Sequence, residues 1–476
     1  MTRKTKTLIV ALAVLALLGG GYYASIARTK KKADSSSSSY TTTPRLGNLQ
    51  SSELVTIEVP GIALEKNNDT WELSSFEGKI PPGGFKLDQG QIYMLTYSLA
   101  SIWTDRVVDE EPEDLSVYGL DNPASWVQVT DSAGKKAEYL LGDMTPSRTS
   151  RYIMERGDPK VYTVSTYLAE AMGFTVDSIR QRNLFPQFDF KEVTLFRLEE
   201  AGNSPDGRSE NRIEIYVMPE TIPPHLAATF SGFILTSPYL LPRGVNGETL
   251  FNLLSPLNGI VIDEFIDDDP GSYVPYGLDN PARIFLQADD VSLDLLIGNE
   301  VSGKRYARLA DTPAVFTLSG LEDILNVKPF SLVDKFALLI NIDSVDQLLI
   351  NGEGKNLNAE FQGKGDDGVY FLNGKKTETR SFKLFYQAVI GLLADAEYPR
   401  ISDPKASGPD PAQSAAEAGV SIEYRLNTPP GGRLSITLTP YNRDFYALNQ
   451  NGITEFLISR NQVRNIFEMA EKVGFE

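Results

Sequence analysis

The chain has no cysteine and a single histidine, His225, in 476 residues. Without cysteine there are no disulfides, no thiolate nucleophile, no cysteine-built metal site and no lipidated cysteine anchor, and the redox compartment stays open. His225 stands in "PETIPPHLA", a proline-rich connector; with no second histidine and no thiolate it does not make an ordinary zinc site. Phosphate-cradling loops are missing too. "LGGGYY" and "PPGGF" lack the G-x-x-x-x-G-K-[ST] pattern, and neither a strand-anchored G-x-G-x-x-G nor a G-x-S-x-G elbow occurs. No metal, cofactor or catalytic set is expected, and no pattern names a small-molecule ligand.

Positive charge is also scarce beyond the N-terminus. Arg3, Lys4, Lys6, Arg28, Lys30, Lys31 and Lys32 lie in the first 32 residues, which hold no acid, so the remainder carries 38 basic against 63 acidic residues, a net charge of -25. A body that acidic repels phosphate backbones, which excludes nucleic acid as a partner. The acidic runs "DEEPED" (Asp109–Asp114) and "DEFIDDD" (Asp263–Asp269) lack the D-x-D-x-D-G spacing of a calcium loop and read as solvated links.

Leu8–Ala27 is a run of twenty uncharged residues with basic flanks on both sides, the length a helix needs to cross a bilayer. It predicts a retained single-pass membrane anchor over 1–32, with the body outside the cytoplasm; a cleaved signal peptide is the rival, given the small residues Ser25 and Ala27. Residues 33–52 read as a Ser/Thr-rich tether.

What fills the body is repetition. "YGLDNPA" occurs at Tyr118–Ala124 and again at Tyr276–Ala282. The first is followed by "SWVQVTD", "AEYLLGD", "RYIM" and "VYTVS", the second by "RIFLQAD", "LDLLIGN", "RYAR" and "VFTLS". A third set, "VSIEYRLN", "RLSITLTP", "DFYALN" and "EFLIS", lacks the heptapeptide and has a Pro/Ala/Ser-rich insertion at 398–419 in its place. Alternating apolar and polar residues make these segments strands. Turns such as "SAGK" and "TPPGG" join them into hairpins. Ser165, Ser319 and Ser459 close each set, and S-x-x-E (Ser319, Glu322) and S-x-x-Q (Ser459, Gln462) predict capping boxes on following helices. Upstream of each set stand further strands ("ELVTIEV", "EVTLFRL", "SVDQLLI") and a helical stretch ("IYMLTYSLASI", "TLFNLLSPLNGI", "SFKLFYQAVIGLL"). The fold class expected is α+β: three tandem repeats of mainly antiparallel strands with one or two helices each, over 53–175, 176–327 and 328–476, after an N-terminal transmembrane helix.

Each heptapeptide residue has a conformational reason to be there. Gly119 and Gly277 permit positive φ, Asp121 and Asp279 are expected to bond backbone amides two residues on, and Asn122 and Asn280 precede proline. Pro123 and Pro281 then open a strand without donating, while Tyr118, Leu120, Tyr276 and Leu278 bury beneath the turn. A carboxylate embedded in such a turn reads as structure rather than as a catalyst or metal ligand.

The twin "YGLDNPA" stretches, each followed by "LLG" or "LIG", "RY" and "VYTV" or "VFTL", resemble the bacterial family of domain of unknown function 4340. The resemblance runs from about Glu53 onward, and the third copy departs from it by lacking the heptapeptide. It carries no catalytic residues. It implies an anchored extracytoplasmic protein associated with ABC-type export systems of the gliding-motility kind. The function expected is a non-enzymatic accessory or scaffold protein with protein partners in a membrane complex. Two other readings stay open: a cell-surface glycan-binding module, and a hydrolase with an unlocated carboxylate pair.

Overall fold

The computed structural model describes residues 44–77, 86–123, 125–202, 212–219, 231–399, 419–427 and 432–476. The anchor, His225, the "TPPGG" turn and most of the 398–419 insertion lie outside them. Among the described residues no helix is long and apolar enough to cross a membrane. The described chain up to Gln181 forms one compact unit, and Arg182 to Glu476 a second. The fold is α+β and rich in antiparallel sheet.

In the first unit the strands are β1 (Arg45–Leu46), β2 (Leu54–Val59), β3 (Ile62–Asn67), β4 (Thr70–Phe76), β5 (Ile102–Trp103), β6 (Arg106–Asp109), β7 (Ser125–Asp131), β8 (Lys136–Met144), β9 (Ser150–Glu155) and β10 (Val161–Ser165). They form one eight-stranded sheet in the order β4-β3-β2-β7-β8-β9-β10-β6, with β1 and β5 as a separate ribbon. Period-two burial explains why these residues are strands. Leu54, Ile57, Val127, Val129, Tyr139, Leu141 and Ile153 point inward, against Ile92, Leu95 and Leu99 of the helix Gln89–Ala100.

The second unit holds two nine-stranded sheets. The first contains β11 (Val193–Glu199), β12 (Arg212–Val217), β13 (Phe233–Ser237), β14 (Arg243–Gly244), β15 (Glu264–Asp267), β16 (Ala282–Ala288), β17 (Val291–Val301), β18 (Lys304–Leu309) and β19 (Val315–Leu318). The other contains β20 (Val345–Gly352), β21 (Lys355–Gln362), β22 (Val369–Leu372), β23 (Lys375–Lys376), β24 (Ala396–Glu397), β25 (Val420–Leu426), β26 (Arg433–Pro440), β27 (Phe445–Gln450) and β28 (Ile453–Ser459). Their orders are β14-β13-β12-β11-β16-β17-β18-β19-β15 and β23-β22-β21-β20-β25-β26-β27-β28-β24. All three sheets thus follow one plan. Two meanders join through a middle pair, and a strand lying between them in sequence closes the far edge.

The two sheets of the second unit share a continuous core. Arg243 on the edge strand β14 donates to Glu455 at 2.6 Å and to Gln450 at 2.7 Å. The Tyr239 ring lies against Phe456, and its hydroxyl donates to Glu397. The edge of one sheet is thereby closed by the other instead of being left open to pairing.

Several expectations are corrected here. Register puts Trp126 opposite Leu140 and Arg283 opposite Leu296. The second copy is therefore one residue shorter between heptapeptide and strand, and "SWVQVTD" and "RIFLQAD" align only with that gap. The tether does not run to Ser52: Leu46 and Leu49 are buried and β1 pairs with β5, because these two leucines give the segment an apolar face. Of the three closing serines, Ser165 does cap its helix, accepting from the Leu168 amide. Neither capping box forms. Glu322 is drawn to Arg305 and Gln462 to the backbone of Leu393, and Ser319 and Ser459 make no cap bond. The stronger charged or tertiary partner wins over the local one.

Candidate functional site

Each heptapeptide follows a short 3-10 turn, Leu115–Tyr118 or Val274–Tyr276, which its glycine closes. Gly119 has φ 64° and Gly277 φ 67°. The Leu120 amide donates to the Leu115 carbonyl at 3.0 Å, and the Leu278 amide to that of Tyr273 at 3.2 Å. Leu120 and Leu278 are buried. The turns rest on the glycines of "LLG" and "LIG": a Cβ on Gly142 would sit 2.2 Å from the Tyr118 carbonyl oxygen, and one on Gly298 would sit 2.1 Å from that of Tyr276. Opposite Gly119 and Gly277 lie the side chains of Asp143 and Asn299, each within 3 Å of where a Cβ would be.

Pairing places Leu141, Ile297 and Leu438 at equivalent positions, so the residue after each is Gly142, Gly298 and Thr439. The copy without the heptapeptide is also the copy without the glycine. The two motifs are halves of one contact.

Asp121 and Asp279 are exposed, and neither carboxylate has a hydrogen-bond partner among the described residues. The expected bonds two residues on do not exist, since that residue is Pro123 or Pro281, which has no N–H. Asn122 is exposed with no hydrogen bond from its side chain among the described residues, whereas Asn280 accepts from the Gly202 amide. Pro123 and Pro281 are half-buried just ahead of β7 and β16. The carboxylates that do work for the fold come from the acidic runs. Tyr118 donates to Asp109 at 2.8 Å and Tyr276 to Asp267 at 3.1 Å, so the runs are partly edge strand and not a free link. Among the described residues no group of three potential metal ligands occurs.

A second repeating aspartate had no signal in the heptapeptide reading. Asp105, Asp263 and Asp395 each donate their amide to the closing strand, at Thr163, Thr317 and Leu457. Asp395 also accepts from the Ser459 amide and the Gln462 side chain. Its only trace in the sequence is a small or apolar residue followed by Asp at the head of each acidic or edge segment, as in "TD", "ID" and "AD".

One surface breaks the internal repetition. The helices Gln89–Ala100, Gly247–Leu254 and Thr379–Ile390 occupy the same place in the three copies, each after an N-cap at Asp88, Asn246 or Glu378. Five, six and nine residues beyond that cap stand Tyr93, Met94 and Tyr97 in the first, Phe251, Asn252 and Ser255 in the second, and Lys383, Leu384 and Gln387 in the third. Tyr93, Met94 and Tyr97 are 64%, 60% and 65% exposed. Phe251, which lies against Phe190, and Leu384 are 52% and 46% exposed, so each of the other copies shows one apolar side chain where the first shows three. The twelve residues of the first helix carry no charge, and the outward hydroxyl of Ser98 turns back to the Met94 carbonyl. Just beyond the helix, Trp103 is exposed under the Arg45 guanidinium, 3.9 Å from its ring centre. The sequence hid this face, because its helix has apolar residues all round and periodicity marks only the inner side.

The sequence profile of the family described as domain of unknown function (DUF4340) matches residues 80–212 and 234–411, well over half of the chain. The chain belongs to the DUF4340 family. No curated protein and no solved structure matches it. Each DUF4340 match opens ahead of or at the start of the helix of one copy, carries one heptapeptide and runs on into the strands of the next sheet. The closing meander β25–β28, which lacks the heptapeptide, lies outside both matches.

The ionisable groups of the DUF4340 braces are tuned by structure. The hydrogen bond to Asp109 raises Tyr118 above the ordinary tyrosine range, while desolvation followed by the bond to Asp267 raises Tyr276. Burial, with the bond to Asp158, pushes Tyr162 up to about 12. Burial likewise raises Tyr139, Tyr239, Tyr386 and Tyr424. All of these shifts favour the neutral phenol, a hydrogen-bond donor rather than a nucleophile.

Proposed function

We propose that the chain is a membrane-anchored, extracytoplasmic accessory or scaffold protein of an ABC-type export or envelope complex, built from three tandem copies of one α+β unit. The observation that carries this reading is the contrast between what repeats and what does not. The residues common to the copies are used inside the units: the heptapeptide against the strand glycine, tyrosine against Asp109 or Asp267, and Asp105, Asp263 or Asp395 against the closing strand. The surface found in one copy alone is the uncharged Tyr93–Met94–Tyr97 face. A face of three exposed apolar residues, where the other copies show only Phe251 or Leu384, suits a docking role better than a catalytic one. It lies beside the ribbon β1–β5, where the chain coming from the apolar run Leu8–Ala27 joins the folded body.

The reading is tested by purifying the full chain from detergent-solubilised membranes after in vivo crosslinking, with mass spectrometry of what accompanies it. Enrichment of transporter subunits over mock purification supports the accessory role. Recovery of the chain alone, from membranes in which the transporter is present, overturns it.

A further inference from the structure

The outward face of Gln89–Ala100 has a specific occupant. We propose that Tyr93, Met94 and Tyr97, together with the exposed Trp103 three residues beyond the helix, seat in the headgroup layer of the bilayer that holds the anchor, so that the first unit lies on the lipid surface. This rests on the anchored reading above and adds the partner chemistry of that face.

Chain connectivity supplies the first argument. Arg45–Leu46 pairs with Ile102–Trp103, and the Thr104 amide donates to the Pro44 carbonyl, so the chain joins the body at the C-terminal end of this helix. Only residues 28–43 separate Pro44 from the apolar run, a stretch that spans at most roughly 55 Å.

Residue chemistry supplies the second. Tyrosine and tryptophan sit at the boundary between headgroups and acyl chains because one end of each ring is apolar and the other is polar. Methionine fills irregular apolar surroundings. The helix buries Ile92, Leu95 and Leu99 inward and shows two tyrosines and a methionine outward, with no ionised group to desolvate. Arg45, over Trp103, places one cation at the level of lipid phosphates.

Charge gives the third, and it fixes the kind of contact. The body's net charge of -25 beyond residue 32 opposes electrostatic attraction to anionic lipid. Binding by this face is therefore apolar insertion, tethered by the anchor, and is insensitive to salt.

Trp103 is the reporter, since Trp71 is buried and Trp126 is half-buried. The full chain is reconstituted into phosphatidylcholine vesicles with bromine at shallow acyl positions. The Trp103 contribution, defined by difference from Trp103→Phe, is quenched relative to unbrominated lipid, as for a ring at the headgroup–acyl boundary, and the loss is unchanged by added salt. Tyr93→Ser with Tyr97→Ser restores that emission without altering thermal melting. Vesicle-bound chain with unquenched Trp103 overturns the proposal and leaves a protein as the occupant of the face. Chain that fails to float with the vesicles overturns the anchor itself, and the lipid contact with it.

Discussion

Gly142→Ala tests the contact between heptapeptide and strand. The added Cβ would lie 2.2 Å from the Tyr118 carbonyl oxygen, and 2.9 and 3.1 Å from Cγ and Cδ2 of Leu120. A backbone oxygen cannot rotate away, so the turn must lift by roughly 1 Å to restore an ordinary separation. Lifting takes Leu120 away from Leu140 and Val161, with which it forms a small separate cluster. Compressing a packed contact costs about 1–3 kcal/mol. Expelling Leu120 entirely costs about 1.5–3 kcal/mol, which bounds the first figure from above, and a loss of about 2 kcal/mol is expected. Thr439→Ala is the internal control: it has the same strand position and an exposed side chain whose hydroxyl makes only a long bond, 3.5 Å, to the Ala447 carbonyl, so its change stays within about 0.5 kcal/mol. The assay is urea unfolding of the full chain together with hydrogen exchange at the Gly119 and Leu120 amides. Gly142→Ala with unchanged stability and unchanged exchange would refute the reasoning.

Other substitutions follow from the same geometry. Asp121→Ala and Asp279→Ala remove exposed carboxylates with no partner among the described residues and should leave thermal melting unchanged within about 0.5 kcal/mol, whereas Tyr118→Phe loses the bond to Asp109 and costs about 1 kcal/mol. Glu455→Gln leaves Arg243 buried without its counter-charge, and a loss of about 3–5 kcal/mol in the second unit is expected by chemical denaturation. Raised phenol pKa values mean that the folded chain holds those protons more tightly than the unfolded one. The tyrosine contribution to stability is therefore flat below about pH 10, where free tyrosine ionises, and falls above it as the unfolded chain loses protons first. Ultraviolet titration should show Tyr139, Tyr386 and Tyr424 ionising only with unfolding.

Local pattern made the strands readable. Val127/Val129 and Ile422/Tyr424 alternate because one sheet face is buried, and that alternation needs no knowledge of the partner strand. The positive φ of Gly119 and Gly277 was equally local. What failed was everything that depends on a distant partner. Glu322 and Gln462 have capping spacing, yet Arg305 and Leu393 take them. Asp121 has the composition of a turn cap, yet the residue two on is Pro123, which has no N–H to offer. The glycine of "LLG" was visible as a repeated letter, but its job appears only when Tyr118 is laid across it. The Tyr93–Met94–Tyr97 face was not legible at all, because exposure is a property of the assembled unit.

The account stands most directly on whether the body lies outside the cytoplasm with the aromatic helix face covered. The lack of cysteine allows a clean measurement: single Tyr97→Cys and Asp290→Cys variants, labelled in intact spheroplasts by a membrane-impermeant maleimide and again after detergent. Asp290 is an exposed turn residue in the second unit. The account predicts rapid labelling of Asp290→Cys without lysis, and labelling of Tyr97→Cys that stays slow until detergent is added. Protection of both positions before lysis would contradict the extracytoplasmic placement, and equal, rapid labelling of both would contradict the covered face.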